Sequence, residues 1–176
     1  KIFVLNNKKS FLAEYYPIQS IELNKKNELS AISLLKRVTN EINKTTLEYW
    51  LEGGTLLGAV RDKKLIPWDH DLDIGIKFSN EKQIKELIYT LKKNFIVRAL
   101  KFPADPKIWS LGKYRILKVY TKKSHFKRSA LCLDIFLYYK GDVEGKGEMY
   151  KYVVWGNNAC HESKFFDSLE EINFYD

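Results

Sequence analysis

Residues 71–76 read Asp-Leu-Asp-Ile-Gly-Ile, an alternation of acidic or small residues with aliphatic ones that fits one local structure well. In a β-strand, successive side chains leave opposite faces. Leu72, Ile74 and Ile76 then line one side, and Asp71, Asp73 and Gly75 the other. A helix would scatter both sets around its axis. The apolar side of such a strand needs a core to pack against. With 176 residues, 45% of them hydrophobic and 14% aromatic, the chain is long enough for one packed domain and too apolar for disorder. No apolar run approaches the ~18 residues of a membrane span, and there is no repeat or low-complexity tract.

The acidic side of the strand raises an electrostatic problem. Two ionised carboxylates about 5 Å apart repel by about 3 kcal/mol at an effective dielectric near 20. One carboxylate stays protonated, or solvent screens both, or a cation sits between them. Acid pairs of this spacing also occur on exposed edge strands, but the aliphatic flanks indicate a half-buried strand, where unpaired carboxylates are costly. Hard oxygen ligands of this kind suit Mg²⁺ or Mn²⁺, which keep positions open for water and substrate phosphates. Asp69 joins the pair if the extended geometry begins that early. Asp134 is a further acid inside an apolar run, Leu131-Cys132-Leu133-Asp134-Ile135-Phe136-Leu137, and a shared cation is the simplest partner for it. Alternation places Cys132, Asp134 and Phe136 on one face of that run.

Gly53-Gly54-Thr55 stands upstream of the acids. Glycines allow a backbone to approach a ligand closely, and a helix start presents free N–H groups to an anion. Arg61 lies between the two motifs and could clamp a phosphate bidentately. Lys63 and Lys64 read as solvated surface, His70 as a polar residue at the strand's start, and Trp68 as a wall for the site. Cys132, Cys160, His125 and His161 lack a chelating spacing for zinc.

Around these motifs the pattern predicts an irregular lead-in over residues 1–23, then an amphipathic helix over 25–44 with Leu29, Ile32, Leu35, Val38 and Ile42 as its apolar stripe. A strand over 47–51 runs into the glycine turn, and Thr55 caps a short helix reaching Arg61. After the acidic strand, Asn80 and Gln83 form a capping box for a helix buried through Ile84, Leu87, Ile88 and Leu91. Strands follow over 95–100, 114–120, 131–139 and 150–155. With no linker evident, the expectation is one α/β domain on a small mixed sheet.

Tyr49-Trp50-Leu51-Glu52-Gly53-Gly54-Thr55-Leu56-Leu57-Gly58-Ala59-Val60-Arg61, followed by Ile66-Pro67-Trp68-Asp69-His70-Asp71-Leu72-Asp73-Ile74, resembles the signature of the LicD/fukutin-type phosphotransferases. The resemblance is dense over residues 47–77 and extends over about 29–176, with Phe165–Tyr175 similar to a later family segment. It implies a nucleotidyltransferase-like fold, a small mixed sheet flanked by helices. It also implies a site formed by the glycine turn and three acids, with Asp71, Asp73 and Asp134 catalytic and metal-binding and Gly53, Gly54 and Thr55 at the substrate; Arg61, Trp68 and Asp69 are expected to bind substrate from the reading of the residues themselves. The implied reaction moves phosphocholine or a polyol phosphate from a CDP-activated donor to a sugar hydroxyl of a glycan. Lys64 departs from a frequent glycine of the family, and His70 from a common aspartate.

A net charge of +8 favours acidic partners, whether nucleotides, phosphorylated sugars or an anionic membrane surface touched peripherally. Nucleic acid is not expected, since no basic helix or stacking-aromatic motif accompanies the charge. The alternatives to a phosphotransferase are a nucleotidyltransferase acting on a small molecule or protein, and a non-catalytic nucleotide- or glycan-binding module. The chain starts at Lys1 and stops after Phe174-Tyr175-Asp176, which suggests a single domain truncated at its C-terminus. The resemblance is compatible with a cytoplasmic or membrane-peripheral location in a bacterium and with the Golgi lumen in a eukaryote.

Overall fold

The computed structural model describes residues 3–5, 8–10, 21–123 and 127–175, so Pro17 of the lead-in and His125 of the weighed zinc set lie outside the described residues. Phe3–Leu5 (β1) and Lys8–Ser10 (β2) pair antiparallel, where the sequence suggested only irregular chain. Helix α1 spans Glu28–Ile42 and buries Ala31, Leu34, Leu35, Val38 and Ile42. Leu29, expected in that stripe, is 78% exposed. At about 100° per residue it falls opposite Ala31 and Leu35, which set the helix's buried side.

Strand β3 (Tyr49–Leu51) leads into α2 (Gly53–Arg61). The cap of α2 is Glu52, and both glycines lie within its first turn, so Thr55 is not the capping residue. Strand β4 covers Leu72–Lys77, and α3 covers Glu81–Asn94. The expected capping of α3 is present: the Asn80 side chain accepts from the Gln83 N–H at 3.0 Å. Ile84, Leu87, Ile88 and Leu91 are all buried.

Strands β5 (Phe95–Lys101), β6 (Tyr114–Lys122), β7 (Arg128–Val143), β8 (Gly147–Val154) and β9 (Asn157–Glu162) follow. The seven strands from β3 onward form a mixed sheet with a main path β3-β4-β7-β6-β5. β8 pairs with the end of β7 from Tyr139 to Val143, and β9 pairs with β8. β9, Asn-Asn-Ala-Cys-His-Glu, carries no apolar alternation, and pairing with β8 overrides its weak intrinsic preference. Together with the helices this is an α/β fold.

The two faces of the sheet differ in chemistry. Leu72, Ile74 and Ile76 of β4, Leu131, Leu133, Ile135 and Leu137 of β7, and Leu117 and Val119 of β6 join the buried residues of α1 and α3 in one core. Each such side chain taken fully from water stabilises the fold by about 1.5–3 kcal/mol. On the opposite face, Tyr138, Tyr150 and Phe166 form a smaller cluster with Trp50, Phe136 and Tyr152. Phe166 belongs to a 3₁₀ turn, Ser163–Phe166, whose end is tied to β4 by Lys77 Nζ donating to the Phe166 carbonyl at 2.9 Å.

The Trp50 indole packs against Gly75, where an added Cβ would sit 2.4 Å from its ring. Gly75→Ala must therefore displace a half-buried indole and should cost about 1–3 kcal/mol, the usual range for overpacking. Urea unfolding followed by circular dichroism checks this, and an unchanged midpoint would mean that the ring moves aside freely.

Candidate active site

β4 and β7 run parallel in a register that sets Asp73 beside Asp134, and β6 runs antiparallel to β7 with Lys118 opposite Asp134. Residues paired in this way project from the same face. Asp71 lies just before β4. Ligand oxygens of Asp71, Asp73 and Asp134 all come within 4.8 Å of one another, and among the described residues this is the one grouping of acids, histidines and cysteines able to hold a metal ion. Asp134 is only 5% exposed. Its Oδ1 accepts from the Cys132 thiol at 2.9 Å, and its Oδ2 is ion-paired with Lys118 Nζ.

The electrostatics reflect this crowding. Burial pushes the Asp73 carboxyl up to about 8, with the Asp71 and Asp134 carboxylates adding to the rise. Burial likewise raises Asp71, followed by Asp134 and Asp69, while Lys118 opposes the shift. Burial alone would lower Lys118, but Asp134 and Cys132 outweigh it and hold the ammonium above its ordinary value. With all three acids ionised, the trio against one ammonium would carry an excess of two negative charges, which one divalent cation would neutralise. The all-oxygen donor set suits a hard ion.

The glycine turn lies directly against these acids. Gly53 has φ +52°, and a Cβ there would stand 2.9 Å from Asp73 Oδ2; at Gly54 it would stand 1.9 Å from Asp69 Oδ2. Only bare backbone permits so close an approach. Thr55 is buried, and its hydroxyl oxygen accepts from the Asp73 N–H at 2.9 Å, while the Glu52 N–H donates to the Asp73 carbonyl at 3.0 Å. Thr55 thus fixes the helix start to the acidic strand. The first N–H groups of a helix have no intrahelical partner; that of Gly53 donates to Glu52 Oε1, and those of Gly54 and Thr55 lie beside the acids.

The other expected site residues are placed less closely. Asp69 is half-buried at Gly54, its Oδ1 accepting from the His70 N–H at 2.9 Å, and His70 itself is exposed. Trp68 is 66% exposed on the loop that returns along α2. Arg61 is at the far end of α2, about 12 Å from Gly53 along the axis. Its fork is taken by the neighbouring Asp62, at 2.9 and 2.7 Å. His161 stacks on Tyr152 and shares a 3.1 Å hydrogen bond with its hydroxyl.

Sequence reasoning passed over Lys118 and Glu52. Lys118 interrupts an apolar strand, Ile116-Leu117-Lys118-Val119, the same signal that singled out Asp134. Glu52 lay inside the quoted motif without a role. Its Oε2 accepts from Trp50 Nε1 at 2.7 Å and from the Tyr138 hydroxyl at 2.8 Å, and its Oε1 from the Gly53 N–H at 3.3 Å.

Residues 46–176 match the family described as LicD/FKTN/FKRP, nucleotidyltransferase domain. The chain belongs to that family. An uncharacterized protein of Rickettsia typhi is 32% identical over 123 residues, 70% of this chain and 33% of the relative. Human ribitol 5-phosphate transferase FKRP is 49% identical over 41 residues, 23% of this chain and 8% of the relative. Human ribitol-5-phosphate transferase FKTN is 38% identical over 53 residues, 30% and 12% of the two chains. The chain spans a third or less of the length of these relatives. No helix among the described residues is long and apolar enough to cross a membrane.

The raised Asp73 carboxyl yields a pH prediction with a definite sign. A carboxyl whose folded-state value rises from 3.8 to about 8 contributes stability that is fully present below 3.8, falls progressively as pH climbs, and is gone above about 8. Cation-free protein should melt lower at about pH 9 than at about pH 6. Asp73→Asn should remove most of that difference and raise the melting temperature at about pH 9, by roughly 2–4 °C for each kcal/mol of relief. Differential scanning calorimetry in EDTA tests this, and a variant that melts lower than the parent at about pH 9 would contradict it.

Proposed function

We propose that this chain is the catalytic domain of a cation-dependent transferase that moves a polyol phosphate or phosphocholine from a CDP-activated donor to a sugar hydroxyl of a glycan. The observation that carries the reading is the convergence of Asp71, Asp73 and Asp134 against the glycine start of α2, in a chain of this family. The ribitol-phosphate transferases among its relatives make ribitol phosphate the first donor group to try.

In the proposed reaction the acceptor hydroxyl attacks the donor phosphorus that carries the polyol or choline. The bond from that phosphorus to CMP breaks, and CMP leaves with the electron pair. The hydroxyl proton passes to a carboxylate of the trio. Asp71, Asp73 and Asp134 would hold Mg²⁺ or Mn²⁺, which when bound neutralises charge on the donor's diphosphate. Gly53 and Gly54 leave room for a phosphate at the helix start, and the open N–H groups of that turn orient it. Thr55 and Glu52, bonded to the Asp73 backbone, keep this phosphate subsite in register with the acids.

Incubation with CDP-ribitol, CDP-glycerol and CDP-choline in turn, with an oligosaccharide acceptor and Mg²⁺ or Mn²⁺, should release CMP from one of them. EDTA should abolish the release. Asp71→Asn and Asp73→Asn should each lower turnover by about 10²–10³-fold or more, the scale on which loss of one electrostatic stabiliser acts. Full activity in both variants would sink the assignment. Transfer of the nucleoside monophosphate itself, with the other phosphate released, would instead point to a nucleotidyltransferase, the domain type in the family's description.

Gly54→Ala supplies a separate check on the glycine turn. The added Cβ must push the Asp69 carboxylate aside, which a flexible side chain can do at little cost to folding. A melting temperature within a few degrees of the parent, with donor KM raised about tenfold, is expected. A large drop in stability with normal KM would make the glycine a turn residue only.

A further inference from the structure

Lys118 has no part in the reaction above, yet the register of the sheet makes it one of a row of four charges. Asp73 on β4 pairs with Asp134 on β7, Asp134 with Lys118 on β6, and Lys118 with Arg98 on β5. Register partners share a face, so the row crosses the sheet as acid, acid, ammonium and guanidinium, one strand apart each time. Its acidic half belongs to the site already described. Its basic half begins with a partly buried ammonium flanked on its own face by buried Ile116 and Tyr120, and ends with an exposed arginine at the sheet's edge.

An ammonium in such surroundings is costly unless paired, and its ion-pair partner is Asp134. Asp134 is also one of the three acids that would hold a cation. Two positive charges cannot share one carboxylate without repelling each other. The conflict disappears if an anion arrives with the cation and takes over the ammonium. Lysine suits that exchange, since its three donors rotate freely about a flexible stem.

We propose that Lys118 and Arg98 form a second phosphate subsite for the activated donor, and that Lys118 trades Asp134 for a donor phosphate when a cation occupies the acids. The inference rests on the transferase reading above and extends it: cation and donor bind with positive coupling, and Lys118 carries the coupling. The ligand class is a diphosphate, bound between the glycine turn and the basic half of the row.

Titration calorimetry with Mn²⁺ alone, and with CDP in the presence of Mn²⁺, tests this on the parent, Lys118→Met, Lys118→Arg and Arg98→Ala. Without the competing ammonium, Lys118→Met should bind Mn²⁺ alone about three- to tenfold more tightly, a shift typical of coupled sites. It should bind CDP about 10–100-fold more weakly, as expected for loss of a charge-assisted contact to phosphate. General damage to the fold would weaken both together. Lys118→Arg keeps the charge and should fall between Lys118→Met and the parent. Arg98→Ala should leave Mn²⁺ binding alone and weaken CDP about two- to fivefold, in keeping with its exposure. If Lys118→Met does not fold, Lys118→Gln, which can still hydrogen-bond Asp134, takes its place. Parental CDP and Mn²⁺ affinities in all variants, or losses confined to the KM of the acceptor, would overturn the subsite. A parent that binds neither Mn²⁺ nor CDP would instead overturn the transferase reading.

Discussion

The parallel pairing of β4 with β7 is the constraint on which the rest of the site depends. Leu72, Ile74 and Ile76 meet Leu133, Ile135 and Leu137 in register on the helix-covered face, and each of these residues is fully buried. A slip of one residue would turn every one of them toward the open face, so the aliphatic contacts fix the register. The same register sets Asp73 beside Asp134 on the other side. The core therefore forces like charges together. They are tolerated because their cost is borne by a pairing that the aliphatic face stabilises many times over.

What offsets that cost locally is unevenly distributed. Asp134, the most enclosed of the three acids, has both oxygens engaged, one by Lys118 and one by the Cys132 thiol. Asp73 has, among the described residues, hydrogen-bond partners for its backbone alone, Thr55 and Glu52, and its carboxyl is the one driven to about 8. The site thus holds one settled carboxylate and a nearby pair in want of positive charge. Sites arranged for function commonly give up stability in this way, and perturbed carboxyls at such positions mark places where a ligand is expected.

Where one rule dominated, the sequence was readable. The alternation in residues 71–76, the capping box at Asn80 and Gln83 and the apolar stripe of α3 each have a local cause, and each appears in the structure as expected. The lone acid at Asp134 was legible because a charge inside an apolar run demands a partner. Lys118 gives the same signal, but thirty basic residues in the chain hid it among solvated lysines. Other features depend on tertiary contacts that no local pattern encodes. β9 exists because β8 offers it an edge, Leu29 is exposed because Ala31 and Leu34 set the phase of α1, and Arg61 spends its fork on Asp62.

Glu52 shows how the two halves of the open face are joined. Its negative charge adds to the repulsion felt by Asp73, so by electrostatics alone it is poorly placed. Its oxygens, however, collect the Trp50 indole, the Tyr138 hydroxyl and the first N–H of α2. Trp50 and Tyr138 in turn pack edge to face at 4.9 Å, Trp50 against Phe166 at 4.8 Å, and Tyr138 stacks on Tyr152 at 4.3 Å. Hydrogen bonds to a charged acceptor are roughly twice as strong as neutral ones, so this carboxylate couples the aromatic cluster firmly to the turn. The β8–β9 hairpin, which supplies Tyr150 and Tyr152, therefore bears on the position of Gly53 although it contributes no acid to the site. A turn made of bare backbone has no side chain of its own to hold it in place. In this chain a buried aromatic cluster, acting through one acid, provides that support.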